Sequence, residues 1–195
     1  MESKGEVYIS PKYRKIDYQK LNLSPDSDEN WEMAVKIFKD RIQGRFLNQI
    51  HLLEGDINTN GFAIMALDCL LIETLLQFRF GYEETKPKNK DAYSDFLCQN
   101  FPNIFDSKSK AERFYSEIRC GILHSAQTKG KTRLTDDSTY AIKVTGDVLS
   151  VSVSRISEVV ESYFDSYCSQ LLDKNNTAIR SNFIQKMKFV CRAYN

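Results

Sequence analysis

Apolar residues recur every three or four positions along most of the chain, which is the spacing of one face of an α-helix. A first long helix is predicted from Ser24-Pro25-Asp26 to about Leu53, because proline in a first turn and Glu29 three positions after Asp26 are helix start signals. Turn-forming residues at 55–61 precede a second helix at about 62–80, which is apolar almost all round and is predicted to be central in a bundle. The same spacing predicts four further helices, at about 90–100, 109–127, 156–171 and 177–194.

A different period marks residues 140–153. Two β-branched runs, 140–145 and 148–153, flank Gly146-Asp147 and predict a β-hairpin. Strands and helices do not alternate along the chain, so a parallel sheet is not expected. The predicted fold is therefore all-α, a bundle of five to six helices with a small β-hairpin insertion. Residues 1–24 are predicted to form an N-terminal arm, and residues 25–195 a single helical domain.

The composition is that of a globular protein without a strong bulk charge. Hydrophobic residues make up 42% and charged residues 27% of the 195 positions, which suffices for an ordinary core without covalent staples. The net charge of +1 argues against a protein that coats nucleic acid through bulk charge, although it leaves room for a local basic patch.

The cysteines and the apolar segments indicate the compartment. An odd number of cysteines without a CxxC pair predicts reduced, buried thiols in a cytoplasmic protein, rather than disulfides or a zinc site; they are Cys69, Cys98, Cys120, Cys168 and Cys191. The first six residues contain no apolar signal segment. The apolar stretch from Gly61 to Phe80 contains Asp68, Glu73 and Arg79, so it is predicted to be a core helix and not a membrane span.

The predicted N-terminal arm has two interpretations. Three tyrosines alternate with basic residues, and such a segment can stack on a nucleic acid strand and neutralise it. The alternative is an arm that packs along the domain surface. The residues concerned are Tyr8, Lys12, Tyr13, Arg14, Lys15, Tyr18 and Lys20.

The residues with the clearest chemistry lie near the end of the helix predicted to begin with a capping box of Ser109 and Glu112. Arg119 carries a permanent positive charge and can bind a phosphate through two parallel hydrogen bonds. His124 can exchange a proton near neutral pH. Glu73 falls on the apolar face of the second helix, where it is expected either to anchor Arg119 or to reach water from an edge position.

Other site types are not indicated by the sequence. It lacks a glycine-rich phosphate loop, an HExxH motif, paired cysteines and a nucleophile elbow, so neither a metal nor a cofactor is expected. His51 is predicted to be a surface or core histidine without a ligand role. A basic loop at 127–133 follows His124 and is expected to form either a positive rim or an ordinary solvated loop; the rim would comprise Lys108, Lys110, Arg113, Lys129, Lys131 and Arg133.

The segment Arg119-Cys120-Gly121-Ile122-Leu123-His124 resembles the Arg-x4–6-His signature of the HEPN superfamily. These are small all-α domains, many of them endoribonucleases of bacterial toxin, abortive-infection and CRISPR-associated systems. The resemblance covers about residues 31–127, and the last two helices less clearly. The chain departs from the pattern at Cys120, where the family often has Asn, Asp or His.

The resemblance implies metal-independent RNA cleavage, in which the ribose 2′-OH attacks the adjacent phosphate and leaves a cyclic phosphate. His124 would be the proton shuttle and Arg119 would hold the phosphate. Glu73, Cys120 and Ser125 would support them, and the positive rim would bind RNA. The implied setting is a cytoplasmic bacterial toxin or antiphage defence protein, with an antitoxin or another protein as a possible partner.

Helix geometry adds a constraint on this site. Five residues at 100° each place the two side chains about 140° apart and about 7.5 Å along an ideal helix. They therefore face one phosphate only if the helix loosens at Gly121 or if two chains share the site. The resemblance implies the second solution, a homodimer whose two motifs meet at one cleft.

Two other functions remain open from the sequence. The first is a non-catalytic HEPN-like module that binds RNA, a nucleotide or a partner protein. The second is a plain helical bundle in which Arg119 and His124 are structural and Arg119 pairs with Glu73.

Overall fold

The computed structural model describes residues 7–86 and 89–192, and helix predominates in this part of the chain. A π-helical segment at Gln43–Leu47 connects α2 to α3, a 3-10 turn at Glu54–Asp56 connects α3 to α4, and a second π-helical segment at Phe114–Arg119 connects α6 to α7. The helices are α1 (Lys15–Gln19), α2 (Asp28–Ile42), α3 (Asn48–Leu53), α4 (Ile57–Phe80), α5 (Asn89–Asn100), α6 (Lys108–Arg113), α7 (Cys120–Ser125), α8 (Val153–Leu172) and α9 (Thr177–Arg192).

The mostly helical class and the six predicted long helices are confirmed within the described residues, but the predicted start of the first helix is wrong. The helix begins at Asp28 and not at 24–26. Ser27 lies just before it, and its hydroxyl donates to the carbonyls of Asn22 and Ser24 at 2.6 and 2.9 Å. Ser24-Pro25-Asp26 therefore belongs to a turn that leads into the helix.

The turn predicted at 55–61 is also wrong, because helix α4 already begins at Ile57. Asp56 Oδ1 accepts a hydrogen bond from the backbone N–H of Thr59 at 3.1 Å, and Asn60 Nδ2 donates to the Leu53 carbonyl at 3.0 Å. Aspartate and asparagine often indicate a turn in a sequence. In this segment their side chains instead form hydrogen bonds with backbone groups that are unpaired at helix ends.

The capping box predicted at Ser109 and Glu112 is two residues out of place. Ser107 is the cap of α6, and its Oγ accepts a hydrogen bond from the Lys110 backbone N–H at 3.4 Å. Glu112 instead forms an ion pair with Lys90 at 2.9 Å. The helical stretch ends at Ser125 rather than Gln127, since Ala126 adopts the left-handed conformation with φ 52°.

The sheet has three strands, β1 (Thr132–Thr135), β2 (Ile142–Thr145) and β3 (Val148–Ser152), in the order β1-β3-β2. The predicted hairpin is confirmed as the antiparallel pair of β2 and β3. The sheet is mixed rather than parallel, and its third strand, β1, was not predicted: it runs parallel to β3 and begins within the segment predicted to be a basic loop. Leu149 and Val151 of β3 are fully buried, so this strand gains from partners on both edges.

Contacts divide the chain into two compact units, described here one by one. The first contains the described residues of Met1–Gln49, Gln77–Glu83 and Phe164–Asn195. Its core is an aromatic cluster around Phe38, whose ring centroid lies 4.5–5.9 Å from those of Phe78, Phe164, Tyr167 and Phe183. Such ring pairs add specific contacts to the burial of apolar area. The single-domain boundary at residue 25 stays a prediction.

Residues 7–24 pack on the rest of the first unit, as one interpretation of the arm predicted; residues 1–6 lie outside the described chain. The Ile9 carbonyl accepts hydrogen bonds from Arg41 and Arg45. Gly44 permits a close approach, because a Cβ there would lie 2.2 Å from Pro11 Cγ. Tyr18 is buried, so it cannot stack on a nucleic acid strand.

The second unit contains Ile50–Leu76 and the described residues of Glu84–Tyr163. Helix α4 buries one face in its core, and helices α5 and α6, the second π-helical segment, the sheet and the first part of α8 supply the rest. The principal buried side chains are Ile64, Met65, Leu71, Ile72, Tyr93, Phe96, Phe114, Ile118, Leu149 and Val151.

All five cysteines are free, as predicted. Cys69, Cys168 and Cys191 are buried, whereas Cys98 and Cys120 are only half-buried. Within the described residues one helical stretch, Asp28–Phe80, is long and apolar enough by length and composition to cross a membrane. About half of its most apolar window, 56%, is buried, and core helices pass the same test.

Asp68 of α4 is a fully buried carboxyl group in the second unit. Ser157 Oγ donates to its Oδ2 at 2.7 Å, whereas its Oδ1 has no hydrogen-bond partner in the described chain. Burial raises the pKa of Asp68 to about 7, with Ser157 opposing the shift and nearby Glu54 adding to it.

We expect this group to make stability depend on pH. The folded-state pKa of about 7 lies above the ordinary value of 3.8, so the folded protein holds the proton more tightly than the unfolded chain. The resulting stabilisation is present below about pH 4 and is lost as pH rises through 7, by up to about 4 kcal/mol. Asp68→Asn should abolish this dependence, as measured by urea denaturation from pH 4 to 8. Asp26→Asn, at an exposed aspartate, is the control, and equal pH profiles for wild type and Asp68→Asn would contradict the assignment.

Candidate functional site

Arg119 forms an ion pair with Glu73, which confirms one of the two alternatives that the sequence left open for Glu73. Its Nη2 lies 2.7 Å from Glu73 Oε2, and the two side chains are only 13% and 15% exposed. Arg119 ends the second π-helical segment, and Glu73 lies in α4. A charge-assisted hydrogen bond with this little solvent contact holds the guanidinium in one place.

The second oxygen of Glu73 is also occupied. Thr85 Oγ1 donates to Glu73 Oε1 at 2.5 Å, and Thr85 is itself buried. The carboxylate is therefore fixed from both sides, which suits a group that has to orient another. The sequence analysis missed Thr85, because a threonine in a polar loop gives no local signal for a partner twelve residues away.

The ring of Tyr115 packs against the guanidinium group of Arg119. The Arg119 Cζ atom lies 5.4 Å from the centre of the Tyr115 ring, and the Tyr93 ring lies 5.2 Å from that of Tyr115. Cation–π contact with a desolvated ring stabilises a guanidinium. Tyr115 was not among the predicted site residues, although its position four residues before Arg119 makes the two neighbours on a helix.

Electrostatics keep Arg119 charged. Burial by itself lowers the pKa of Arg119, but the hydrogen bond and the charge of Glu73 outweigh it, so the pKa is raised above its ordinary value. The Nε atom is buried and has no hydrogen-bond partner within the described chain. The guanidinium is therefore a permanent cation that is anchored through one of its three nitrogens to a carboxylate.

His124 extends the site to the surface. The side chain is exposed, and its Nε2 lies 3.5 Å from Arg119 Nη1. This is the long end of the hydrogen-bond range, so the contact is loose enough for an anion to replace it. A group bound there would touch a fixed positive charge and a proton carrier at once.

The two side chains do not diverge as expected for an ideal helix, because their ends meet within one chain. A π-helical segment, Phe114–Arg119, ends at the arginine, whereas Cys120–Ser125 is α-helical, so the helix does not loosen at Gly121. Gly121 has a different role, since a Cβ there would lie 2.5 Å from the Gln127 carbonyl oxygen. Glycine lets the following loop fold back, and Lys129 N then donates to the Glu117 carbonyl at 2.9 Å.

The two other predicted supporting residues differ in placement. Cys120 is half-buried beside Arg119 and Tyr115, and it helps burial to raise the pKa of Tyr115. Ser125 is exposed at the end of α7, and its hydroxyl makes no hydrogen bond within the described residues. Ser125 therefore has no structural link to the Arg119–His124 pair.

Most cations of the predicted positive rim interact with other side chains of the protein. Four of its six cations form ion pairs with carboxylates, namely Lys108 with Asp95, Lys110 with Asp106, Arg113 with Glu117 and Lys131 with Asp147. Arg133 Nε donates to Ser150 Oγ at 2.9 Å across the sheet. Lys129 is exposed and makes no ion pair within the described chain.

The described residues around the motif do not include a metal-binding cluster. The described residues contain no group of three or more His, Cys, Asp or Glu side chains arranged to hold a metal ion. His51 is an exposed helix histidine whose Nε2 lies 3.0 Å from Glu161 Oε2. Three cavities of about 380–490 Å³ in the described chain are lined by residues other than Arg119 and His124.

The chain matches no protein-family model, and no curated protein or solved structure matches it. The interpretation of the site therefore depends on its geometry and on the motif.

The burial of the Arg119–Glu73 pair predicts energetic coupling. Glu73→Ala and Arg119→Ala should each destabilise the protein, because each leaves a charge without its partner in a poorly solvated place. In a double-mutant cycle measured by urea denaturation we expect a coupling free energy of about 1–3 kcal/mol. The exposed pair of Arg155 and Glu158 is the control, with an expected coupling below about 1 kcal/mol. Equal coupling for the two pairs would show that Glu73 does not anchor Arg119.

Proposed function

We propose that this protein is a metal-independent endoribonuclease of the HEPN type. The observation that carries the proposal is the contact of 3.5 Å between Arg119 Nη1 and His124 Nε2, with the arginine anchored by Glu73. A fixed cation beside an exposed proton carrier is the minimum that cleavage of a phosphodiester at a ribose requires. Its sequence spacing is that of the HEPN signature.

The proposed reaction is an internal transfer of the phosphoryl group. His124 takes the proton from the ribose 2′-OH, the 2′ oxygen attacks phosphorus, and the bond from phosphorus to the 5′ oxygen breaks. The same imidazole returns the proton to the leaving 5′ oxygen, so the products are a 2′,3′-cyclic phosphate and a free 5′-OH. Arg119 stabilises the negative charge that develops on the non-bridging oxygens.

The surroundings of Arg119 support this role. Glu73, Thr85 and Tyr115 hold the guanidinium before substrate arrives, and a cation fixed in advance needs no reorganisation as charge develops. The exposure of His124 leaves it accessible to a large substrate such as an RNA strand. Lys129, exposed in the loop after the motif, is the best-placed cation of the rim for a phosphate contact.

The non-catalytic alternative has its own support. Four of the six rim cations are already paired with carboxylates, which weakens the electrostatic attraction for RNA. The module would then bind a partner protein or a nucleotide through the same motif. The Arg119–Glu73 pair is also compatible with a purely structural role, so cleavage and binding have to be measured separately.

We also propose a homodimer formed through the exposed face of α4. Phe62 and Leu70 are 46% and 40% exposed, and Ala63, Ala66 and Leu67 share this face. Phe62 begins the helix that was predicted to be central in the bundle, so its exposure corrects that expectation at this position. An apolar face of this kind on a soluble protein marks an interaction surface. The face continues to Glu73, so a second copy would bring its own Arg119–His124 pair near the first.

The proposed location is the cytoplasm, without membrane association. Five free cysteines support a reducing compartment. A toxin or defence role, with an antitoxin as partner, belongs to the same proposal and derives from the motif alone.

Cleavage should depend on the two motif residues. We expect His124→Ala to reduce the rate of cleavage of a mixed RNA substrate about 10²–10⁴-fold, because His124 is the exposed proton carrier beside Arg119. Arg119→Lys should also lose most activity while keeping a charge beside Glu73, since an ammonium cannot replace a two-pronged contact. Wild-type cleavage should persist in excess EDTA and yield cyclic phosphate ends, detected by mass spectrometry.

Two matched variants separate this result from general damage. His51→Ala removes the other histidine, which is also exposed on a helix, and Arg155→Ala removes an exposed arginine in the same compact unit. Both should cleave as wild type does. RNA binding without cleavage by the wild type would favour the non-catalytic module, and neither binding nor cleavage would favour the structural role.

The assembly is tested by light scattering at tens of micromolar protein. We expect twice the chain mass of 22.6 kDa for the wild type and the single-chain mass for Leu70→Glu, because a charge would be buried at the interface. Leu172→Glu is the matched control, since Leu172 is exposed to a similar extent, 45%, and lies outside α4. A monomeric wild type would overturn the dimer.

A further inference from the structure

The largest of the three cavities lies in the first compact unit, far along the chain from the motif residues. It has a volume of about 490 Å³ and is formed by α1, residues 20–24 and the last two turns of α9. Pockets for small organic molecules have volumes of about 300–1,000 Å³. The cavity is therefore large enough for a molecule of nucleotide size and too large for an inorganic ion.

The charges that line this cavity have one sign. Lys15, Lys188 and Arg192 belong to its lining, and none of the other lining residues in the described chain is acidic. Lys188 is exposed and makes no ion pair within the described residues. Arg192 Nη2 lies 2.6 Å from Glu83 Oε1, but the two side chains are 62% and 50% exposed, so this pair is weak and can be exchanged for a ligand. Because the whole chain carries only +1, three cations around one cavity are a local concentration of charge.

The rest of the wall is mainly apolar. Tyr18, Leu21, Leu23, Ile184 and Cys191 provide it, and Tyr18 and Cys191 are buried. Burial raises the pKa of the Cys191 thiol, so the wall adds no negative charge at neutral pH. The Tyr18 hydroxyl has no hydrogen-bond partner among the described residues. A wall of this kind suits the flat body of an organic ligand, and Gln19 and Asn22 at its edge offer amide groups to polar atoms.

We propose that this cavity binds a phosphate monoester attached to a flat ring system of nucleoside size. A phosphate monoester carries a charge of about −1.5 to −2 at neutral pH, which matches several converging cations better than the single charge of a carboxylate. The ring system packs against the apolar wall and fills the volume that a phosphate group alone would leave empty. Lys188 is the cation that contributes most to affinity, because within the described residues no carboxylate competes for it.

Isothermal titration calorimetry on the full chain tests both halves of the ligand. The probes are AMP and 1-naphthyl phosphate, compared with adenosine, 1-naphthol and inorganic phosphate. We expect at least one monoester to bind, and the compounds that lack either the phosphate or the ring to bind at least tenfold more weakly. Tighter binding of AMP would identify the nucleotide class, and tighter binding of 1-naphthyl phosphate an aryl phosphate. The titrations are carried out in the His124→Ala background, so the result is independent of the proposed RNA cleavage.

Two charge reversals locate the site. Lys188→Glu should weaken binding of the monoester at least tenfold. Lys174→Glu, at a lysine of the same unit that is also exposed and lies outside this cavity, should change it less than twofold. Thermal unfolding of both variants checks that they are folded, which we expect because both side chains are exposed. The proposal is overturned if neither monoester binds at millimolar concentration, if phosphate alone binds as tightly, or if the two variants lose affinity equally.

Discussion

The ion pair between Glu73 and Arg119 is the interaction on which the candidate site depends. Two charges with this little solvent contact are costly unless each satisfies the other, and a pair that loses one partner becomes strongly unfavourable. This penalty ties the end of the second π-helical segment to α4. It also explains why Thr85 and Tyr115 surround the pair, since the remaining oxygen and the face of the guanidinium need partners too.

The π-helical segments place side chains that an ideal helix would direct elsewhere. Phe114–Arg119 comes immediately before the residues that carry the motif, and Gln43–Leu47 contains the glycine against which Pro11 packs. A π-helical turn is less stable than an α-helical one and is often found at functional sites. In this protein both segments lie where another part of the same unit makes a close contact, so tertiary packing provides the compensation.

Surface charge is distributed differently in the two places where anions are proposed to bind. Near the motif most cations are paired with carboxylates, and the anion would meet one anchored guanidinium and one histidine. Around the cavity of the first unit three cations converge, and the described residues of its lining include no acidic side chain. The first arrangement suits a reacting phosphate that must be held at one point, and the second suits stable binding of a whole ligand.

The sequence by itself determined the helical class, the approximate places of six helices and the hairpin, and it limited Glu73 to a pairing with Arg119 or a position at the solvent edge. These features follow from the periodicity of apolar residues and from the free-energy cost of a carboxylate in an apolar face. Both can be recognised from the sequence alone. Only the tertiary structure decided the helix starts at Asp28 and Ile57, the third strand, the roles of Thr85 and Gly121, and the ion pairs of the basic rim. Some of these features depend on a partner that is distant in the sequence. The others depend on whether a short polar side chain caps a helix or forms a turn, and the same residue types do both. The contact between Arg119 and His124 is likewise visible only in three dimensions, because helical spacing alone directs the two side chains about 140° apart.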